Sequence, residues 1–255
     1  MRLAHLARSN SREATLSKLE VTMITREKLK AWCEPILNGK AYYRPFICNG
    51  DLSNADIFLA GINPATPIYS EEMDIDEYMD LLLDYNKFME LYKSLRLQKE
   101  KDEMSRTRKG MKSFIDYLKV HTKSSVLETD IIPYPTENIK LLKQEPREII
   151  ERGKEIFYEI VMEFQPRLII FYGKKSVEHA YDIFASKGLI GTDSMDMKKS
   201  IENMERQGTV CSFTYSNGKP CTVMACRHFM YYGNSGQFYE EFRKKVLNVV
   251  KDIDS

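Results

Sequence analysis

The chain has 255 residues, of which 43% are hydrophobic and 29% charged, and a net charge of +1. That length suits one domain with its own core, 1–255, carrying an elaborate insertion. The near-neutral charge by itself neither demands nor excludes nucleic acid, so local clustering must decide. No apolar run is long enough for a transmembrane helix, which excludes that class. Five scattered cysteines, Cys33, Cys48, Cys211, Cys221 and Cys226, fall at no metal-binding spacing and read as reduced thiols. Met1 to Asn10 has two arginines but no apolar segment, so the expectation is a cytoplasmic protein without a secretory signal, metal or cofactor.

In chain order, residues 11–32 predict an amphipathic helix begun by Ser11 or Thr15, with Leu16, Leu19, Val21 and Met23 on its apolar face. Lys40 to Asp51 reads as a loop containing Tyr42, Tyr43, Arg44, Pro45 and an Asn49-Gly50 turn, and it completes an N-terminal extension over about 1–50. The run Asp56–Gly61 is apolar without alternation, as a strand buried on both faces requires. Asn63 follows it, held between Ile62 and Pro64. The proline pushes Asn63 out of the helical region, and Pro67 stiffens the exit.

Residues 71–104 predict one long helical insertion, acidic first and basic later, with Tyr78, Leu82, Tyr85, Phe88, Met89 and Tyr92 as a core-facing stripe. Arg106 to Gly110 reads as a basic loop before a helix over 111–120. A second strand lies in Ser125–Pro135 and a third in Arg167–Gly173. A helix over Pro146–Phe164 has its proline in the first turn, and another spans Lys174–Lys187. Residues 188–208 read as a polar excursion. Thr209–Tyr215 and Cys221–Cys226 pair as a hairpin across Asn217-Gly218, and the last strand delivers Arg227 and His228. A helix over 237–253 ends the chain. Strands alternating with helices predict a doubly wound α/β fold with about four parallel strands in an open sheet flanked by helices.

Three of those strands end in Asn63, Asp130 and His228. In a parallel sheet such ends share one edge, where open α/β folds place their ligands. Each residue also has a plain reading: an Asn-Pro turn, an Asp capping a loop, a His satisfying a local hydrogen bond.

Taken together and in order, Gly61–Ile62–Asn63–Pro64, Thr129–Asp130–Ile131–Ile132, Arg167–Gly173 and His228 resemble the motifs of the uracil-DNA glycosylase superfamily. Its mismatch-specific uracil/thymine branch has Gly-Ile-Asn-Pro-Gly, where this chain has Ala65 in place of the last glycine. The Pro-Ser that commonly follows the family's histidine is Phe229–Met230 here, and Asp130 stands where Asn commonly reads the base. The resemblance implies a DNA glycosylase that hydrolyses the N-glycosidic bond of a flipped-out base. It assigns Asn63 to orienting water, His228 to donating to the leaving base, and Gly61, Ile62 and Asp130 to the base pocket. DNA is the implied partner of a monomeric enzyme, with phosphates held by Arg106, Arg108, Lys109, Lys112 and Arg227. Tyr231 and Tyr232 would fill the gap left in the duplex. An ionised Asp130 offers only acceptors, which suits the amino group of a cytosine-like, modified base better than uracil. The role, repair or defence against foreign DNA, is not specified by these residues.

Two other readings remain at this level. The altered histidine motif suits a protein of the same fold that binds nucleic acid or a nucleotide without catalysis. An unrelated enzyme acting on a phosphorylated small molecule has no phosphate-binding glycine loop to support it.

Overall fold

The computed structural model describes residues 24–233 and 235–254. Its spine is a six-stranded mixed sheet of order β1-β3-β2-β4-β6-β5. The strands are β1 (Ile47–Asn49), β2 (Ile57–Gly61), β3 (Val126–Asp130), β4 (Leu168–Tyr172), β5 (Thr209–Thr214) and β6 (Pro220–Cys226). The inner four, β3, β2, β4 and β6, are parallel, as the apolar runs predict. Two antiparallel edges enlarge the expected four-stranded sheet: β5, through the hairpin read at Asn217-Gly218, and β1, paired to β3. A three-residue strand carries no readable periodicity, so β1 is hidden inside what reads as a loop.

β2 lies at the centre and is buried along its whole length. Its side chains alternate between two apolar layers. Phe58 and Ala60 face one core and Ile57 and Leu59 the other. Helices cover both faces. α6 (Arg147–Phe164) and α7 (Lys174–Ser186) pack Ile156, Phe157, Ile160, Ala180 and Phe184 into the first layer. α4 (Arg106–Lys119) and α9 (Glu240–Asp254) pack Phe114, Ile115, Leu118, Phe242 and Val246 into the second. Burying each such side chain contributes about 1.5–3 kcal/mol, and this sets the depth of the sheet beneath the site.

The insertion differs from the single long helix expected. It is two helices, α2 (Ile75–Leu83) and α3 (Tyr85–Gln98), broken at Asp84. Asp84 is extended (φ −120°, ψ 94°), and its carboxylate accepts from the N–H groups of Asn86 and Lys87 at 3.1 Å each. A side chain that satisfies the first N–H groups of the next helix ends the previous one. The basic stretch is likewise corrected from loop to helix. Ser105 caps α4 by accepting from Arg108 N at 3.1 Å, so Arg106 to Gly110 form its opening turns. Of the N-terminal helix, α1 (Arg26–Cys33) is present, capped by Thr25, while Leu16, Leu19, Val21 and Met23 lie outside the described residues. α5 (Ile139–Leu142) precedes α6, for which Pro146 is the capping residue. α8 (Ile201–Gln207) interrupts the polar excursion. Among the described residues, no helix is long and apolar enough to cross a membrane, and the five cysteines are buried free thiols.

Candidate active site

The register of the inner strands brings their carboxyl ends level. Gly61 lies opposite Asp130, Ala60 opposite Phe171, and Tyr172 opposite Cys226. The chain leaves β2 toward β3 and later crosses to β4 on the other side, so a crevice opens where the connections diverge. There Ile62, Asn63, Asp130, Tyr172 and His228 line a cavity of about 350 Å³. Arg44, Tyr92 and Arg96, with Ser105, Thr107 and Arg108 from the start of α4, form its outer wall. The three residues that the strand ends were expected to bring together therefore do share one cavity.

Asn63 is fixed by the loops around it. The segments after β2 and β3 run side by side, with Ile131 N donating to Gly61 O, Ile132 N to Ile62 O and Thr136 N to Pro64 O, at 2.9, 2.9 and 3.0 Å. This places Thr136 beside Asn63, whose Nδ2 donates to Thr136 Oγ1 at 2.9 Å and to Pro64 O at 3.1 Å. Thr136 Oγ1 donates its own proton to Asn138 O at 2.9 Å, so toward Asn63 it only accepts. That assigns the amide unambiguously. The nitrogen is committed to the protein, and Oδ1 is the end left to accept from a water or a ligand.

His228 caps the short 3₁₀ turn Phe229–Tyr231, its Nδ1 accepting from Met230 N at 3.3 Å. An accepting Nδ1 carries no proton, so in the neutral ring the proton sits on Nε2. Burial pushes the imidazole below its usual value and favours that neutral form. Tyr172 meets the ring edge-on, with centroids 5.4 Å apart at 76°. The result is a fixed neutral N–H donor at the cavity wall.

Asp130 and Tyr172 sit above Gly61. A β-carbon on Gly61 would lie 2.5 Å from Asp130 Oδ1 and closer still to the Tyr172 hydroxyl, so the glycine is required by space. Burial pushes the Asp130 carboxyl up to about 7. Arg44 and Arg108 pull the other way, and Glu128 adds to the rise. At neutral pH the carboxyl thus exists in both forms, one able to donate and one only to accept. Burial, reinforced by Asp130, likewise keeps the Tyr172 hydroxyl protonated.

The residues expected to meet phosphates are placed differently. Arg108 is not at the surface: its guanidinium is buried and paired with the buried Glu128. Lys109 lies 3.7 Å from Asp102 and Lys112 2.5 Å from Asp116. Arg227 holds Glu205 through Nε and Nη2 (3.1 and 2.7 Å) and stacks on Tyr239. Of this set only Arg106 is exposed without an ion pair among the described residues. Tyr231 is 58% exposed, whereas Tyr232 is 1% exposed and packs on Phe114 and Phe229. A 3₁₀ turn has three residues per turn, so Phe229 and Tyr232 share the inner face and Met230 and Tyr231 the outer one. The expected pair of protruding tyrosines is therefore a single one. It borders a second cavity of about 570 Å³, with Phe238, Lys174 and His228.

Sequence reasoning passed over Tyr172, Arg44, Arg96 and Thr136. Tyr172 closes a run that reads as pure core. Arg44 did leave a signal, a lone cation inside the apolar run Ala41–Cys48, every other member of which except Pro45 is apolar and all of which, Arg44 apart, is buried. No protein-family model matches the chain, and no curated protein matches it.

Proposed function

We propose that this protein is a DNA glycosylase, acting on a base turned out of the strand into the cavity at the carboxyl ends of β2, β3, β4 and β6. The reading joins the motif resemblance to the uracil-DNA glycosylase superfamily with the mixed α/β sheet and the chemistry of its cavity. One observation carries it: a committed amide and a neutral imidazole N–H line the same cavity as a carboxyl with a raised pKa. Cleaving an N-glycosidic bond develops positive charge on the sugar and negative charge on the departing base. Asn63 Oδ1 accepts from the water that attacks the sugar. His228 Nε2–H donates to the base as it takes up charge, a contribution made without reorganisation because the ring is already fixed.

The base in this reading is cytosine-like and carries a substituent. Ionised, Asp130 accepts from the exocyclic amino group; protonated, it donates to the ring nitrogen. Against the ionised form, uracil would set its carbonyl against an acceptor in a desolvated pocket, which costs about 1–3 kcal/mol. The test is incubation with DNAs carrying uracil, cytosine and modified cytosines, with released bases identified by mass spectrometry. Asn63→Ala should lower the single-turnover rate by orders of magnitude while DNA affinity changes little. Release of no base from any of these DNAs by the wild type would instead favour a nucleotide-binding protein without catalysis, a reading that fits the pairing of Lys109 and Lys112 with carboxylates.

A further inference from the structure

The wall of the cavity holds an imbalance of charge. Three arginines line it, Arg44, Arg96 and Arg108, and Arg108 is answered by Glu128, as Lys99, Lys109 and Lys112 outside the cavity are by Glu137, Asp102 and Asp116. Arg44 and Arg96 are not, since neither forms an ion pair among the described residues. Arg44 is half-buried. It gives one bond, Nη2 to Ala65 O at 2.9 Å, and lies 5.2 Å over the Phe88 ring. Arg96 gives one bond, Nε to Asp102 O at 2.6 Å, and lies 5.8 Å over the Tyr92 ring. In each case the remaining guanidinium N–H groups make no further hydrogen bond among the described residues, although both side chains line the cavity. Asp130 does not balance them, because its raised pKa leaves it partly uncharged near neutrality. A planar fork of donors with no anionic partner matches a phosphate, whose oxygens accept two parallel bonds.

We propose that Arg44 and Arg96 form a phosphate subsite inside the cavity, so that the ligand enters as a nucleotide, phosphate included. This rests on the reading above that the base lies against Asp130. It goes beyond it in locating phosphate recognition within the cavity and on the inserted helix α3, away from the surface lysines. The phosphate belongs either to a free mononucleotide or to a nucleotide within a strand. The chemistry is the same in both.

The experiment is an NMR titration of the full chain at constant ionic strength. Deoxyribose and deoxyribose 5-phosphate carry no base and so test the subsite alone. The sugar phosphate should bind the wild type roughly tenfold or more tightly than the sugar, as charge-assisted bonds imply. R44Q and R96Q should each remove most of that difference. R96Q keeps the test alive if thermal melting shows R44Q to be unfolded. Equal binding of the two sugars, or a difference that survives in folded R96Q, overturns the subsite. Because no base is involved, this outcome is independent of whether any base is released. Deoxycytidine 5′-monophosphate compared with a short single-stranded oligonucleotide then identifies the source. Binding of either one that is lost in R96Q supports the subsite, and binding of both unchanged in R96Q overturns it.

Discussion

At the scale of single residues, the proposed chemistry depends on which atoms are already spoken for. Nδ1 of His228 is engaged, so its role falls to Nε2–H. Removing one such preorganised donor typically costs about 2.7–4 kcal/mol of transition-state stabilisation. His228→Ala should therefore lower the single-turnover rate by about 10²–10³-fold. A rate within a few-fold of wild type would move the donor elsewhere. Asp130 sets a pH limit. In a reaction that needs its proton, activity falls as pH rises through about 7, the value to which burial raises the carboxyl. His228 works as the neutral ring, and burial lowers its pKa, so the acid-side loss comes below the usual histidine range. Asp130→Asn cannot ionise, so its kcat/KM profile should keep the acid limb and lose the alkaline one. Asn63, Asp130 and His228 were legible in the sequence because each stands at or just past the carboxyl end of a readable strand. Tyr172 was not, because a tyrosine ending Ile-Ile-Phe-Tyr looks like core until the glycine beneath its hydroxyl is seen.

At the scale of elements, α4 is anchored from inside by one ion pair. Arg108 is largely covered (12% exposed) and Glu128 is buried, and the second carboxylate oxygen of Glu128 has no partner among the described residues. Arg108→Met strands that carboxylate, and breaking a buried pair by removing one partner costs about 3–5 kcal/mol. Urea unfolding should show this loss, with much of it recovered on adding Glu128→Leu. A change under 1 kcal/mol (about the ceiling for an exposed pair) would mean that the pair is not buried in solution. The inner strands and the hairpin could be read from apolar runs and Asn-Gly. The break at Asp84 and the early start of α4 could not be read from periodicity, because both depend on one side chain capturing backbone N–H groups.

At the scale of the molecule, net charge gives little guidance, and pairing decides where an anion can be held. Lys109 and Lys112 on α4 are answered locally, so the proposed DNA binding should show a shallow salt dependence. Arg106→Gln should reduce its slope by about 0.7–0.9, one phosphate contact. Lys109→Gln and Lys112→Gln, already neutralised by Asp102 and Asp116, should change it by much less. Equal changes for all three would mean that DNA displaces those carboxylates. The sequence showed a basic cluster here. It did not show that Asp102 and Asp116 cancel much of it, because pairing depends on which side chains the helix turns toward one another.

Gly110 lies in the opening turns of α4, where a β-carbon would strike the carbonyl of Phe229 and come within 2.9 Å of Tyr232. The helix that walls the cavity is thus pressed flush against the turn that begins just after His228. A side chain at Gly110 would have to push that turn or the helix aside, so the lack of a β-carbon there sets how closely α4 and the turn that follows His228 can seat. The spacing between the two cavity walls is thus fixed by a residue that does not line the cavity.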